Sequence, residues 1–241
     1  MDQLSPQAAC PSCKLSDLCL PYGLQKNEVA QLAAIVKSKR PLRADEILYR
    51  QGDASRSLYA VKAGSFRSFI LNSEGDEQVI GFSLPGELIG LDALQYGHYT
   101  CSTIALETAL VCDLPLSQLN ELCGKIPSLQ VQMTRILGKE IASDHDKILL
   151  LGHRSAKERI ATFLLMLSSR YCTLGFSSTE FNLSMRRQDI ANFLGLTIET
   201  VSRQLAELTK IGIITVKQRG IQINDLALLK AIVQPCPSLA Y

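Results

Sequence analysis

Apolar positions along the chain change period three times. In NEVAQLAAIVKS, residues 27–38, Val29, Leu32, Ile35 and Val36 recur at helical spacing and predict a short amphipathic helix. From Arg43 to about Leu114 the pattern shortens. ILYRQGD, SLYAVKAG, SFRSFILNSEGDEQVIGF, LPGELIGLDAL and ALVCDLPL read as strands and turns in regular succession. That rhythm predicts a small antiparallel barrel or jelly roll, with Ser73-Glu74-Gly75-Asp76 as one hairpin turn. LSQLNELC, residues 116–123, predicts a short helix. Pro127 then opens a long helical pattern through Leu151, with Gly152 as its candidate end. Residues 155–171 predict a further helix with Ile160, Phe163, Leu164 and Leu167 on one face. Residues 1–22 show no periodicity and read as loop. No run of 18 apolar residues occurs, so no membrane span is expected.

The segment SMRRQDIANFLGLTIETVSRQLAELTKIGIITVKQRGIQIND, residues 184–225, has a pattern of its own. Two short amphipathic helices meet at Gly195, the second beginning near Thr197, which is the spacing of a helix-turn-helix. Thr197 can cap the second helix, and Glu199 in its first turn suits the dipole. IGIITV, the turn Gln218-Arg219-Gly220 and IQI then predict a two-stranded wing. The second helix is expected to expose Glu199, Thr200, Ser202 and Arg203, with Ile198, Val201 and Leu205 pointing inward. Arg bonds two acceptors of guanine, and Glu accepts from cytosine N4. Lys217 and Arg219 in the wing are placed to meet phosphate. Any solvated helix face shows such residues, but the Gly turn, the wing and the local basic charge favour double-stranded DNA as the partner.

Charge separates the two ends of the chain. Residues 1–151 hold 14 Lys/Arg against 17 Asp/Glu, a net −3, and residues 152–241 hold 11 against 6, a net +5. Between Arg67 and Lys125 there is no Lys or Arg, against eight acidic residues. A phosphate gripped by side-chain cations is therefore not expected in that region. Within the long helix, Leu137, Ile141, Asp144, Ile148 and Leu151 fall at spacings of 4, 3, 4 and 3. That seam, between two domains, favours a homodimer helix over a plain core helix. In a parallel two-fold dimer Asp144 would face its own copy and keep the pairing weak. The opposing reading turns Asp144 to water or to Lys139 or Lys147.

Eight cysteines change the picture most. MDQLSPQAAC lacks the basic and apolar regions of a secretion signal, so a cytoplasmic location is expected. There, clustered thiols hold metal or sense redox state. Cys10, Cys13 and Cys19 are spaced C-x2-C-x5-C in CPSCKLSDLC, and such a set needs a fourth ligand. By spacing alone, zinc and an iron–sulfur cluster fit equally. Cys101, Cys123, Cys172 and Cys236 read as small buried hydrophobes or incidental thiols, with Cys101 and Cys123 as rival ligands. His98, His145 and His153 read as exposed polar residues rather than haem ligands. No G-x-S-x-G, P-loop or His/carboxylate constellation points to catalysis.

The segments QGD, SLYAVKAG, EGDEQVIGF, ILLLGHRSAKERIATFL and GLTIETVSR, with the N-terminal cysteines, resemble the cAMP receptor protein / FNR superfamily of transcription regulators, most closely its fumarate and nitrate reduction (FNR) branch. The resemblance covers nearly the whole chain. It implies an α+β fold: an antiparallel β-roll sensor domain, a long dimerisation helix and a C-terminal winged helix-turn-helix. The implied domains are a cysteine-rich segment 1–24, a sensor domain 25–124 that has lost nucleotide binding, a dimer helix 125–152 and a DNA-binding domain 153–241. It further implies an oxygen-labile [4Fe–4S] cluster on Cys10, Cys13, Cys19 and Cys112, the last from LETALVCDLP. Glu199, Ser202 and Arg203 would read a palindrome close to TTGAT–N4–ATCAA. The implied partners are that DNA, a second copy of the chain and RNA polymerase, the last with EGDEQ at 74–78 as a candidate contact. Cyclic-nucleotide sensors of the superfamily place an Arg-Ser pair after a G-E-L-type turn, and PGELIGLDALQYGHYTCSTIA has no such Arg. Two other classes stand beside this reading. One is a zinc-stabilised or thiol/disulfide-switched regulator of the same fold. The other is a metabolite-binding regulator with structural cysteines.

Overall fold

The computed structural model describes residues 10–233. The chain divides into two compact units, Met1–Ala142 and Ser143–Tyr241.

In the first unit the cysteine segment is not plain loop. It makes two 3-10 turns, Cys10–Ser12 and Ser16–Leu18. Helix α1 (Lys26–Ile35) follows, opened by a capping box in which the Gln25 amide donates to the Glu28 carboxylate at 2.7 Å. It ends earlier than the apolar spacing predicts. Val36 turns extended, and Lys37–Ser38 leaves the helix to pair as strand β1. Leu32 and Val36 are buried all the same.

Strands β2 (Ile47–Tyr49), β3 (Ser57–Ala63), β4 (Phe66–Leu71), β5 (Glu77–Ser83), β6 (Leu88–Ile89), β7 (Ser102–Ala105) and β8 (Leu110–Pro115) complete the roll. They form two four-stranded sheets in the orders β1-β8-β3-β6 and β2-β7-β4-β5, with antiparallel pairing throughout. The expected hairpin turn is present, closed by Asn72, which accepts from the Glu74 and Asp76 amides. Two strand expectations need correction. Ala93–Tyr96 is a helical turn, α2, ended by Gly97 with a left-handed backbone. CSTIA, which lacks strict alternation, supplies β7 and joins β2 to β4.

Strand β3 is buried on both faces, which explains why SLYAV does not alternate. One face looks into the roll, where Tyr49 stacks on Tyr99 and Tyr59, with ring centroids 3.8 and 5.9 Å apart. The other face, with Leu58 and Ala60, packs against Leu20, Leu32, Leu114 and Leu119 and against Leu129 and Met133 of the long helix. Gly64, with φ +73°, closes the β3–β4 turn, where an added Cβ would stand 2.6 Å from the Thr108 carbonyl oxygen. Helix α3 (Leu116–Lys125) leads to α4 (Pro127–His153), which runs one residue past Gly152.

In the second unit α5 (Ala156–Thr173) starts from a Ser155/Glu158 capping box. The Arg159 guanidinium donates to the Arg154, Leu194 and Leu151 carbonyls at 2.9, 2.9 and 2.7 Å. Strand β9 (Glu180–Asn182), helices α6 (Arg187–Leu194) and α7 (Ile198–Lys210), strands β10 (Ile214–Lys217) and β11 (Gly220–Ile223), and α8 (Leu226–Ile232) follow. The expected two-stranded wing is in fact a three-stranded sheet in the order β10-β11-β9. EFN is too short for its period to be read.

Candidate metal centre and nucleic-acid interface

The cysteine segment folds back on the roll through Leu20, which is almost fully buried. Backbone bonds from Cys13 to Cys10 and from Ser16 to Cys13 curl it so that its thiols share one side. Cys112 reaches the same place from β8, where it pairs with Ser38 of β1 and Ala60 of β3. Cys10, Cys13, Cys19 and Cys112 therefore line one cavity of about 40 Å³. Its other walls include Leu15, Leu20, Leu32, Val36 and Leu114, and Lys62 is the one charged side chain among its lining residues. Lys62 lies between Val61 and Ala63, at a bulge in the β3–β8 pairing.

Burial pushes the Cys10 thiol up to about 11, with the charges of Cys112 and Cys13 adding to the shift and Lys62 opposing it. Burial pushes Cys19 up to about 12 and raises Cys112, which Lys62 again opposes. The thiolates of Cys10, Cys19 and Cys112 are thus costly alone and costlier beside their neighbours. A bound cation centre reverses that cost. Among the described residues, no group of three or more His, Cys, Asp or Glu is drawn close enough to hold a single metal ion.

The rival thiols lie elsewhere. Cys101 is buried inside the roll beside Asp92, its Sγ 3.8 Å from the carboxylate. Cys123 packs at the edge of the core under the cysteine segment but does not line the cavity. Cys172 is exposed, and Cys236 lies outside the described residues.

In the second unit Gly195 takes a left-handed backbone, φ +60°, between α6 and α7. Thr197 caps α7 by accepting from the Thr200 amide at 3.2 Å. Val201, Gln204, Leu205 and Leu208 face inward, and Glu199, Ser202 and Arg203 are exposed. Ile198 departs from expectation and is 42% exposed. It stands in the first turn, where side chains lean toward the helix start and past the packed core. Thr200 is half-buried, and its hydroxyl accepts from Thr197 at 3.1 Å, so it is partly spent on the cap. Glu199 is held below the usual carboxylate range by its own amide and by the Thr197 hydroxyl, so it stays an acceptor. Lys217 and Arg219 are exposed at the wing turn, where Gln218 has φ +55°.

The likeness to known proteins follows the same architecture. The chain is 43% identical over 217 residues to the anaerobic regulatory protein of Haemophilus influenzae, covering 90% of this chain and 84% of that one. It is 44% identical over 216 residues to the fumarate and nitrate reduction regulatory protein of Escherichia coli, covering 90% and 86%. The chain belongs to the Crp/FNR family of transcription regulators. As a Crp/FNR protein it matches the family descriptions "Crp-like helix-turn-helix domain" over residues 158–232 and "Cyclic nucleotide-binding domain" over residues 39–125. The structure of FixK2 from Bradyrhizobium japonicum shares the Crp/FNR fold, with TM-score 0.76 and 30% identity over 83% of this chain and 98% of that one. Among the described residues, no helix is long and apolar enough to cross a membrane.

On α4, the seam residues Leu137, Ile141, Asp144, Ile148 and Leu151 are all exposed. Asp144 meets Lys147 at 2.8 Å, one of the two basic neighbours weighed against a facing copy. Exposed pairs of this kind are worth no more than about 1 kcal/mol, so the contact does not tie Asp144 away from a partner helix.

Proposed function

We propose that this FNR-like regulator senses oxygen through a [4Fe–4S] cluster held by Cys10, Cys13, Cys19 and Cys112, and that as a homodimer it reads a TTGAT–N4–ATCAA-like palindrome. One observation carries the reading: four cysteines, three from a terminal segment and one from β8, meet at a single largely apolar cavity. The donor chemistry fits, since four thiolates are the usual ligand set of such a cluster. Zinc would accept the same four thiolates, and the resemblance to the FNR branch favours the cluster. When bound, the cluster supplies an oxygen-labile tie that the polypeptide itself lacks.

The chain's own residues do the rest. Apolar walls shield the sulfur donors in part from water, and the tie joins the segment 10–19 to β8. The roll is proposed to have lost nucleotide binding. Its interior is filled by Tyr49, Tyr59 and Tyr99, and no Lys or Arg lies between Arg67 and Lys125. The exposed stripe on α4 is the proposed dimer seam. The exposed hairpin turn at 74–78 is the proposed contact for RNA polymerase, although Asp76 is drawn to Asn72 and Glu77 to Arg67 within the hairpin.

The deciding experiment is purification without oxygen, counting iron, sulfide and zinc per chain. About four irons and four sulfides, with visible absorption bleached by air, are expected for a [4Fe–4S] cluster. One zinc and no chromophore would sink the reading. A second test addresses the seam. Two carboxylates about 4 Å apart repel by about 4 kcal/mol at an effective dielectric near 20, and by about 1 kcal/mol in bulk water. Asp144→Ala is therefore expected to dimerise and bind DNA in air, without the cluster. Sedimentation of the cluster-free chains checks this, and equal monomer–dimer equilibria for variant and wild type would remove Asp144 from the switch.

A further inference from the structure

Helix α4 presents Leu129, Gln132, Met133 and Ile136 to the core under the cysteine segment. Three of these are apolar. Gln132 breaks the series and is nevertheless only 8% exposed. A buried amide is costly unless it is bonded, and Leu or Met would fill the same space without that cost. Its Nε2 donates to the Cys19 backbone carbonyl at 3.3 Å, across 113 residues of sequence. The same carbonyl accepts from the Tyr22 amide at 3.1 Å, so both its lone pairs are used. One turn further along α4, the Arg135 guanidinium lies over the Tyr22 ring, 4.9 Å from its centroid. Two α4 residues three apart thus grip two residues of the cysteine segment that are also three apart.

We propose that Gln132 is a positioning residue for Cys19, and that through it the ligand segment and the first half of α4 are placed together. The proposal rests on the reading of Cys19 as a cluster ligand. It names the residue by which the state of that ligand is passed to the helix that bears the exposed seam Leu137–Leu151. Among the described residues, the Cys19 carbonyl is the side-chain hydrogen-bond partner of Gln132. A carbonyl held from α4 cannot shift without moving the helix or breaking the bond. The outward side of the same helix holds Val131, Leu137 and Ile141, all exposed, where a small displacement alters pairing with a second copy.

The test uses full-length Gln132→Leu, with Gln132→Met as a second apolar replacement of similar volume. Both leave the Cys19 carbonyl bonded to the Tyr22 amide, so the fold is expected to survive, and a thermal melt checks it. In the metal-free chain, amide hydrogen exchange across residues 19–22 is expected to quicken about three- to ten-fold, the span of one net hydrogen bond. A merely space-filling Gln132 would leave that exchange unchanged, which would overturn the proposal. In the anaerobically loaded chain the visible chromophore is expected to remain. The ratio of dimer dissociation constants between metal-free and loaded forms is expected to shrink about ten-fold. Wild-type coupling in both variants, despite faster exchange, would overturn the link to α4. If wild type takes up no iron and sulfide, the cluster reading fails, and the exchange result on the metal-free chain still decides the role of Gln132.

Discussion

Cys112→Ser, purified without oxygen, is expected to lose its visible iron–sulfur absorption entirely, whereas Cys101→Ser and Cys123→Ser keep it. The three cysteines sit within 22 residues of one another and in the same unit, so sequence ranks them poorly. Their surroundings differ. Cys112 is half-buried on β8 and lines the cavity with Cys10, Cys13 and Cys19. Cys101 is enclosed by the roll, and burial beside the Asp92 carboxylate pushes its thiol up to about 12. That setting opposes a thiolate, and Cys101 lies outside the cavity that the other three cysteines share with Cys112. Cys123 sits on α3, outside the cavity lining. The loss at Cys112 is expected to be complete rather than graded. A serine hydroxyl stays protonated where a thiol ionises, and three ligands on one terminal segment leave that segment unpinned. Single Ser replacements of Cys10, Cys13 and Cys19 are expected to behave like Cys112→Ser, with iron and sulfide assays run beside the spectra. A full chromophore in Cys112→Ser, with loss in Cys101→Ser or Cys123→Ser, would reassign the fourth ligand.

Arg203→Ala is expected to remove guanine preference at one position of each half-site, at about 1–3 kcal/mol per half-site, or roughly five- to 150-fold. Arg203 is exposed on the face of α7 that also shows Glu199 and Ser202, while Val201 and Leu205 anchor the opposite face in the core. Those anchors are left untouched, so the variant is expected to fold as wild type does. Lys217 and Arg219 make the contrast. They are exposed at the wing turn and are proposed to meet backbone rather than base edges. Lys217→Ala or Arg219→Ala is expected to weaken specific and random duplexes alike and to lower the salt slope by about 1 each. Competition binding on the palindrome and on single-base variants, at two salt concentrations, separates the two behaviours. Equal losses for Arg203→Ala on palindrome and random DNA would make Arg203 a backbone contact.

The sequence by itself determined the elements whose signals are local. Gly195 between two amphipathic runs marks a helix-turn-helix, because only a left-handed residue turns the chain that tightly. Pro127 followed by sustained helical spacing marks α4, and three cysteines in ten residues mark a candidate ligand segment. The resemblance carried further, proposing Cys112 where spacing alone could not choose among three thiols. Tertiary structure alone decided what depends on pairing across long stretches of chain. Strand β9 joins the wing because Phe181 aligns with Ile221, forty residues on. Ile198 shares the helical phase of Val201 and yet is 42% exposed, because it stands in the first turn of α7, past the packed core. Cys112 meets Cys10 only because β8 pairs with both β1 and β3, and its register there turns it toward the N-terminal segment. Gln132 has no signal in sequence at all: an amide on an apolar helix face makes sense only once Cys19, 113 residues earlier, is folded against it. Periodicity reports which face of an element is apolar, but not which distant backbone group that face will meet.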